Sequence, residues 1–170
     1  VIESDLNWLI VKSINASGGF AEKLKDPSYS ELMRGARKVA YDYFGTLNNG
    51  QSIDGESKLI KPSTTTQLLS SFAFSKIEDH QIANLSKQVD IRERTQNNAI
   101  IVYSIGYWIP RKLKIVFFFD AKFIHDLINT KKTSISGKEM MKFYDEGKYL
   151  TIMSDYLPVS EIPNYIIKEL

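Results

Sequence analysis

The apolar positions of the first half of the chain fall at helical spacing, and those of the second half fall mostly at strand spacing. After Ser4, a natural N-cap residue, Leu6, Leu9, Ile10 and Ile14 recur on one helix face, and Gly18-Gly19 ends the run. Ser28 and Glu31 have the spacing of a capping box; Leu32, Ala36, Val39, Ala40 and Tyr43 then make a second apolar face, with Gly45 where a helix C-terminus favours glycine. The pattern then breaks. Residues 48–66, NNGQSIDGESKLIKPSTTT, are rich in Gly, Asn, Ser, Thr and Pro and read as a long exposed loop between a helical N-terminal part and a sheet-bearing remainder.

Beyond that loop, residues 67–77 are β-like and partly alternating. Residues 78–89 are ambiguous, polar yet with Ile82, Leu85 and Val89 at helical spacing. Two dense runs of β-formers follow, 98–109 and 112–120, separated by a turn at Pro110 too short for a parallel crossover, so an antiparallel hairpin is expected. The run Phe117-Phe118-Phe119 is apolar on both faces and marks a central strand covered by helices. Then come a short helix over 121–129, a helix capped by Ser136 and stopped by Gly147, a strand within 148–154, and a closing helix over 160–170 with Pro163 in its first turn. The expected fold is α+β or mixed α/β: an N-terminal helical pair and a central, mostly antiparallel sheet of about four strands with helices packed on it.

Composition narrows this little. A 170-residue chain, 43% hydrophobic and 25% charged, is the size and make-up of one globular domain, and a net charge of +2 permits a nucleic-acid partner without demanding one. There is no cysteine, so disulfides, thiolate metal sites and a cysteine nucleophile are excluded. No apolar run approaches the ~20 residues that span a bilayer. The opening, VIESDLNWLIVKSI, has acids and no basic leader, so no membrane association is expected. The absence of an initiator Met and the helix-like end, NYIIKEL, lead us to expect a domain excised from a longer intracellular protein of cytoplasm or nucleus, or from a viral one.

The sharpest chemical signal is KIVFFFDAKF, residues 114–123. On a strand, positions i and i+2 share a face, so Asp120 and Lys122 could both point into one cleft, the acid toward a hard cation and the lysine toward developing charge. The alternative, and the expectation, is that Asp120 is the polar end of a core strand, pairing with Lys122 or capping the turn that follows, with no second acid beside it. The stretch FFFDAKF resembles the acid-x-Lys half-motif of the PD-(D/E)XK nuclease fold. The resemblance extends in outline over residues 28–154: an early helix with an acid, a meander of strands, then a helix and a further strand. It implies catalytic roles for Asp120, Lys122 and the helical Glu31, and a Mg2+ held by Asp120 with Asp90. The first acidic half-motif is missing: Pro110 is followed by Arg111, and no acid lies between Arg94 and Asp120.

His80, beside Glu78 and Asp79, and His125, beside Asp126, read as surface residues, with His125 a neighbour of Asp120 if a site exists there. Arg92, Arg94, Arg111, Lys112, Lys114, Lys131 and Lys132 are the densest basic points and are candidates for phosphate contacts. No phosphate-loop or dinucleotide-binding glycine motif occurs. With the catalytic set incomplete, the expectation is a binding domain that docks protein or nucleic acid and uses no cofactor, the alternative being a Mg2+-dependent nuclease.

Overall fold

The computed structural model describes residues 2–25, 28, 31, 33, 41–61, 69–109 and 113–170, and for Leu113 the backbone alone. The first helix, α1 (Glu3–Ala16), buries Leu6, Ile10, Val11 and Ile14, the stripe that its spacing announces. It begins two residues earlier than Ser4 as a cap would set it. Ile2 is the cap residue, and its N–H donates to Asp5 Oδ2 at 2.8 Å. Gly18, at φ +90°, turns the chain out of the helix into β1 (Phe20–Lys23). Glu31 and Met33 are helical, with the Ser28 N–H donating to Glu31 Oε2 at 2.6 Å as the capping-box pattern requires. The rest of that apolar face through residue 40 lies outside the described residues.

Two expectations fail next, and both failures matter. Tyr43 and Gly45 do not close a helix; they belong to the strand β2 (Tyr43–Thr46), antiparallel to β1 on one side and to the following strand on the other. The expected loop 48–66 contains a nine-residue strand, β3 (Ser52–Ile60), buried from Gly55 to Ile60. Its Glu56 and Lys58 side chains are buried against each other rather than facing water, so its composition misleads. Tyr43 lies across it. A side chain at Gly55 would occupy the space of the Tyr43 ring, whose hydroxyl is 2.6 Å from Ser104 Oγ on the next strand. That close packing is available only to glycine.

Within 67–77, β4 (Phe72–Ala73) and a 3-10 turn (Phe74–Lys76) replace the expected long strand. The ambiguous segment is a helix, α2 (Asp79–Thr95), seated by Leu85 and Val89. The hairpin is as expected: β5 (Ile100–Ile109) runs antiparallel to β6 (Leu113–Asp120), with its turn, including Arg111 and Lys112, outside the described residues. Then come α3 (Ala121–Asn129), β7 (Ser134–Ile135), α4 (Gly137–Asp145) with its Ser136–Glu139 capping box, and β8 (Leu150–Thr151). The closing helix shrinks to α5 (Ile162–Tyr165) because Ile166–Ile167 is drawn into the sheet as β9, parallel to β6.

The result is the mixed α/β of the two expected alternatives, with more strands than the expected four or so and with two parallel pairings, β3–β5 and β6–β9, among antiparallel ones. Its main sheet has seven strands in the order β1-β2-β3-β5-β6-β8, with β9 also on β6, and a two-stranded pair β4-β7 lies apart. The pairing β3–β5 is parallel, with α2 in the crossover, so β3 sits at the centre of the sheet and not on its rim. Alternation sorts the core onto two faces. Ile101, Tyr103, Ile105, Phe117 and Phe119 pack beneath the face carrying α3 and α4, whereas Ile100, Val102, Val116 and Phe118 pack with α1 and the C-terminal segment. Phe117, Phe118 and Phe119 have no solvent exposure, as their run on both faces anticipates. Among the described residues, no helix is long and apolar enough to cross a membrane.

Candidate active site

The expected site at the end of β6 is present as a place but not as a constellation. Asp120 closes the strand and caps α3, accepting the Lys122 N–H at 3.0 Å. The chain therefore changes from strand to helix between Asp120 and Lys122, and the two side chains part. Lys122 turns outward and bonds Asp126 Oδ2 at 2.9 Å. Asp120 is met from α2 by Arg92, whose guanidinium donates to both carboxylate oxygens at 2.7 and 3.2 Å. A bidentate pair of this kind is already neutralised and leaves little affinity for a cation. Arg92 and Lys122 line a hollow of about 550 Å³ with Asp120, but Asp90 is an exposed residue of α2 outside it. Glu31, exposed, is occupied in its own capping box. Neither supplies the second acid.

The other candidates are dispersed. Arg94 is exposed on α2, Lys114 lies over the Trp108 ring at 4.8 Å, and Lys132 pairs with Glu139 at 2.6 Å. Lys131, exposed, ends α3 with a φ of +64°. His80 sits 3.2 Å from Glu78. His125 is not a surface residue. It is buried between α2 and β5, with Nε2 2.7 Å from the Tyr103 hydroxyl and Nδ1 3.1 Å from Ser86 Oγ. Burial pushes its pKa down, against the pull of Asp126 and Asp120.

A second acid-x-Lys lies in β3. Glu56 and Lys58 are only 2% and 5% exposed, and because both are within the strand they share a face, with Lys58 Nζ 2.9 Å from Glu56 Oε1. Around this pair the fold gathers three more polar side chains. Asp42 stands immediately before β2; the β2–β3 register, continued one step, sets it opposite Glu56. Its main chain already belongs to the ladder, since the Asp42 N–H donates to the Gly55 carbonyl at 3.0 Å, and its Oδ2 accepts the Ser57 N–H at 2.9 Å. Glu3, in the first turn of α1, has Oε2 4.0 Å from Lys58 Nζ and Oε1 3.4 Å from the Leu59 nitrogen. Gln81, in the first turn of α2, accepts the Glu78 N–H on its Oε1 at 2.9 Å and donates through Nε2 to Glu56 Oε1. That double use fixes which end of the amide faces the acid.

The electrostatics follow from the geometry. Burial, then the charge of Asp42, push the Glu56 carboxyl up to about 7, against the opposing effect of Lys58. Asp54, one step along the same strand face, is pushed up to about 6 by burial. Burial works against the Lys58 ammonium, but Glu56, Glu3 and Asp42 outweigh it and hold its pKa above the ordinary value. Lys58 is thus a buried, protonated cation in a ring of carboxylates, and Glu56 takes up a proton far more readily than an ordinary glutamate. Among the described residues no three His, Cys, Asp or Glu side chains form a ready cage for a metal. What remains for a divalent cation is the facing pair Asp42 and Glu56, and a pair suits Mg2+, which takes one or two carboxylates and fills its shell with water and phosphate oxygens. Burial does most to raise Glu56, and the repulsion from Asp42 that adds to it is what a dication there would relieve, so the donor set fits.

Sequence reading missed this group because its strand read as loop. The signal was present all the same: an aspartate before one strand and Glu-x-Lys in the next, which is the pattern sought at Asp120, displaced to an earlier meander. No family model matches the chain, and no curated protein sequence matches it. Among solved structures, the Hjc Holliday junction resolvase of the archaeal hyperthermophile Archaeoglobus fulgidus overlaps 72% of this chain and 76% of its own, at a TM-score of 0.39 and 12% identity. An overlap that loose carries no argument about the site.

Proposed function

We propose that the chain is a metal-dependent nuclease whose active site is Glu3, Asp42, Glu56 and Lys58. The observation that carries the reading is the buried Glu56–Lys58 pair at 2.9 Å, on one face of a central strand, with Asp42 opposite and Glu3 alongside. Burying a lysine and a glutamate is costly for stability alone, and an apolar pair of similar volume usually serves as well or better. Perturbed, buried, mutually facing ionisable groups are more common where chemistry needs them.

Each residue has a role that its geometry allows. Asp42 and Glu56 hold the cation. A divalent ion there, when bound, neutralises phosphate charge and makes a water acidic enough to attack. Lys58, kept protonated by its three acids, is aimed at the same point and stabilises charge as it builds on the phosphate oxygens. Glu3 completes the ring around Lys58, and Gln81 holds Glu56 in register. The preference for a pure binding domain rested on the lack of a second acid beside Asp120; Asp42 and Glu56 remove that reason. The test is Mg2+- or Mn2+-dependent cleavage of plasmid and oligonucleotide substrates, abolished by EDTA and by Lys58→Ala. A chain with full divalent-ion occupancy and no cleavage of any nucleic acid overturns the reading.

A further inference from the structure

Resting on the nuclease reading, we propose that the cleft between α1 and β1 seats an unpaired base of the substrate strand against Trp8, so that the preferred substrate has a single-stranded segment at the site. The cleft has a volume of about 750 Å³ and runs from the candidate acids Glu3 and Asp42 along α1. Glu3, Asn7, Trp8 and Val11 form its helical wall, and Lys23 and Lys25 stand on the opposite side, with Glu22 sharing that rim.

Three observations converge on one ligand chemistry. Trp8 is 59% exposed, an unusual state for the largest apolar side chain, and it borders this cleft. Asn7, its neighbour on the wall, is 3% exposed, and its Oδ1 has no hydrogen-bond partner among the described residues. A buried acceptor without a donor is costly unless a ligand supplies one. Lys23 reaches across to Ser4 Oγ at 2.6 Å and is held at the cleft, while Lys25 is exposed beside it. An indole face for stacking, an amide acceptor for a base N–H and two ammonium groups for phosphates are the elements of a single-strand site. Base stacking needs an unstacked base, which a blunt duplex does not offer. Glu3 and Trp8 are five residues apart, about 7.5 Å along the helix axis, within the reach of one nucleotide from its phosphate to a base.

The chain has two tryptophans, so a Trp108→Phe background isolates the Trp8 emission. Titrated with oligothymidylate in Ca2+, that protein should show quenching of Trp8, and the same length of blunt duplex should leave the emission unchanged. Trp8→Ala should weaken oligothymidylate binding, read by anisotropy of a labelled strand, roughly tenfold or more, and Trp8→Phe should recover most of it. Duplex affinity should not change. Equal quenching by both substrates, an unaltered oligothymidylate affinity in Trp8→Ala, or no binding of oligothymidylate at all overturns the inference. The two readings fail separately. Cleavage of duplex with Trp8 indifferent leaves the nuclease standing and removes the single-strand seat. Stacking on Trp8 without divalent-ion-dependent cleavage does the reverse.

Discussion

Of the chain's three acid-x-lysine triplets, one of them Glu146-Gly147-Lys148 in a turn, two begin within strands of the main sheet and are used in opposite ways. Glu56-Ser57-Lys58 lies inside β3, where the two-residue repeat puts both charged side chains on one face and burial presses them together at 2.9 Å. Asp120-Ala121-Lys122 straddles the end of β6. There the backbone turns helical after Asp120, Lys122 swings to Asp126, and Asp120 is taken by Arg92. The same three-letter spelling thus makes a candidate catalytic pair in one place and a helix cap with a surface ion pair in the other. What separates them is whether the strand continues for two more residues.

Cleavage gives the widest separation. Lys58→Ala should lower Mg2+-dependent cleavage by roughly 10²–10³-fold, the loss typical of removing one preorganised charge-stabilising group, while Lys122→Ala leaves it within about threefold. Equal losses in an initial-rate assay would erase the contrast between the two triplets. Stability reverses the ranking. Asp120→Ala strips Arg92 of its partner and α3 of its cap, in a pair whose side chains are 10% and 14% exposed, and should cost about 3 kcal/mol by urea titration. Asp120→Asn, which keeps an acceptor for the cap, should cost less. A loss below about 1 kcal/mol for Asp120→Ala would show the pair to be ornamental.

Stability against pH sharpens the comparison further. The Glu56 carboxyl has a folded pKa of about 7 against an ordinary 4.5, so between those values the folded state holds more of its proton than the unfolded state does. Through Glu56 the unfolding free energy falls as pH rises from about 4.5 through 7, by on the order of 2 kcal/mol; Asp54, raised to about 6, adds to that fall, and His125, lowered by burial, opposes it. Lys58, raised above its ordinary value, adds stability that is lost only above that lysine range and does not offset this slope. Glu56→Gln should flatten the slope between pH 4.5 and 7; an unaltered slope would mean that Glu56 is not the titrating group. The smallest effect belongs to Lys122→Ala, an exposed i,i+4 partner of Asp126, which should alter stability by no more than about 0.5 kcal/mol.

What sequence reading recovered follows from where the chain is apolar. The β5–β6 hairpin and α1 were legible because their buried positions are mostly Ile, Val, Leu, Phe and Tyr, and Ser136 announced α4 through backbone chemistry that needs no tertiary context. β3 was illegible for the opposite reason. Its interior carries Asp54, Glu56, Ser57 and Lys58 where a structural strand would carry valine or isoleucine, so the segment proposed to bear the chemistry looks like solvent-facing loop. β2 was hidden because Tyr43 also fitted the helical spacing of the residues before it, and only its packing over Gly55 assigns it to the sheet. The pairing of Arg92 with Asp120 spans 28 positions, and nothing local in either segment announces it. The acid-x-Lys spacing drew attention to the more apolar strand, β6, because β3 did not read as a strand.

The parallel pairing of β3 with β5 has a consequence for how the protein comes to life. The β2–β3 meander needs only a short connection, but β3 meets β5 through a crossover that must first fold α2 and close a loop of some forty residues, among the slower steps in domain folding. Gln81 arrives at Glu56 only when that crossover docks. A half-folded chain can therefore set Asp42 opposite Glu56 through the meander alone while Glu56 still lacks the Gln81 amide. On the proposed reading, the amide that holds Glu56 in register would be the last part of the site to arrive, so the site would be completed by a long-range contact and not by the meander that carries its acids.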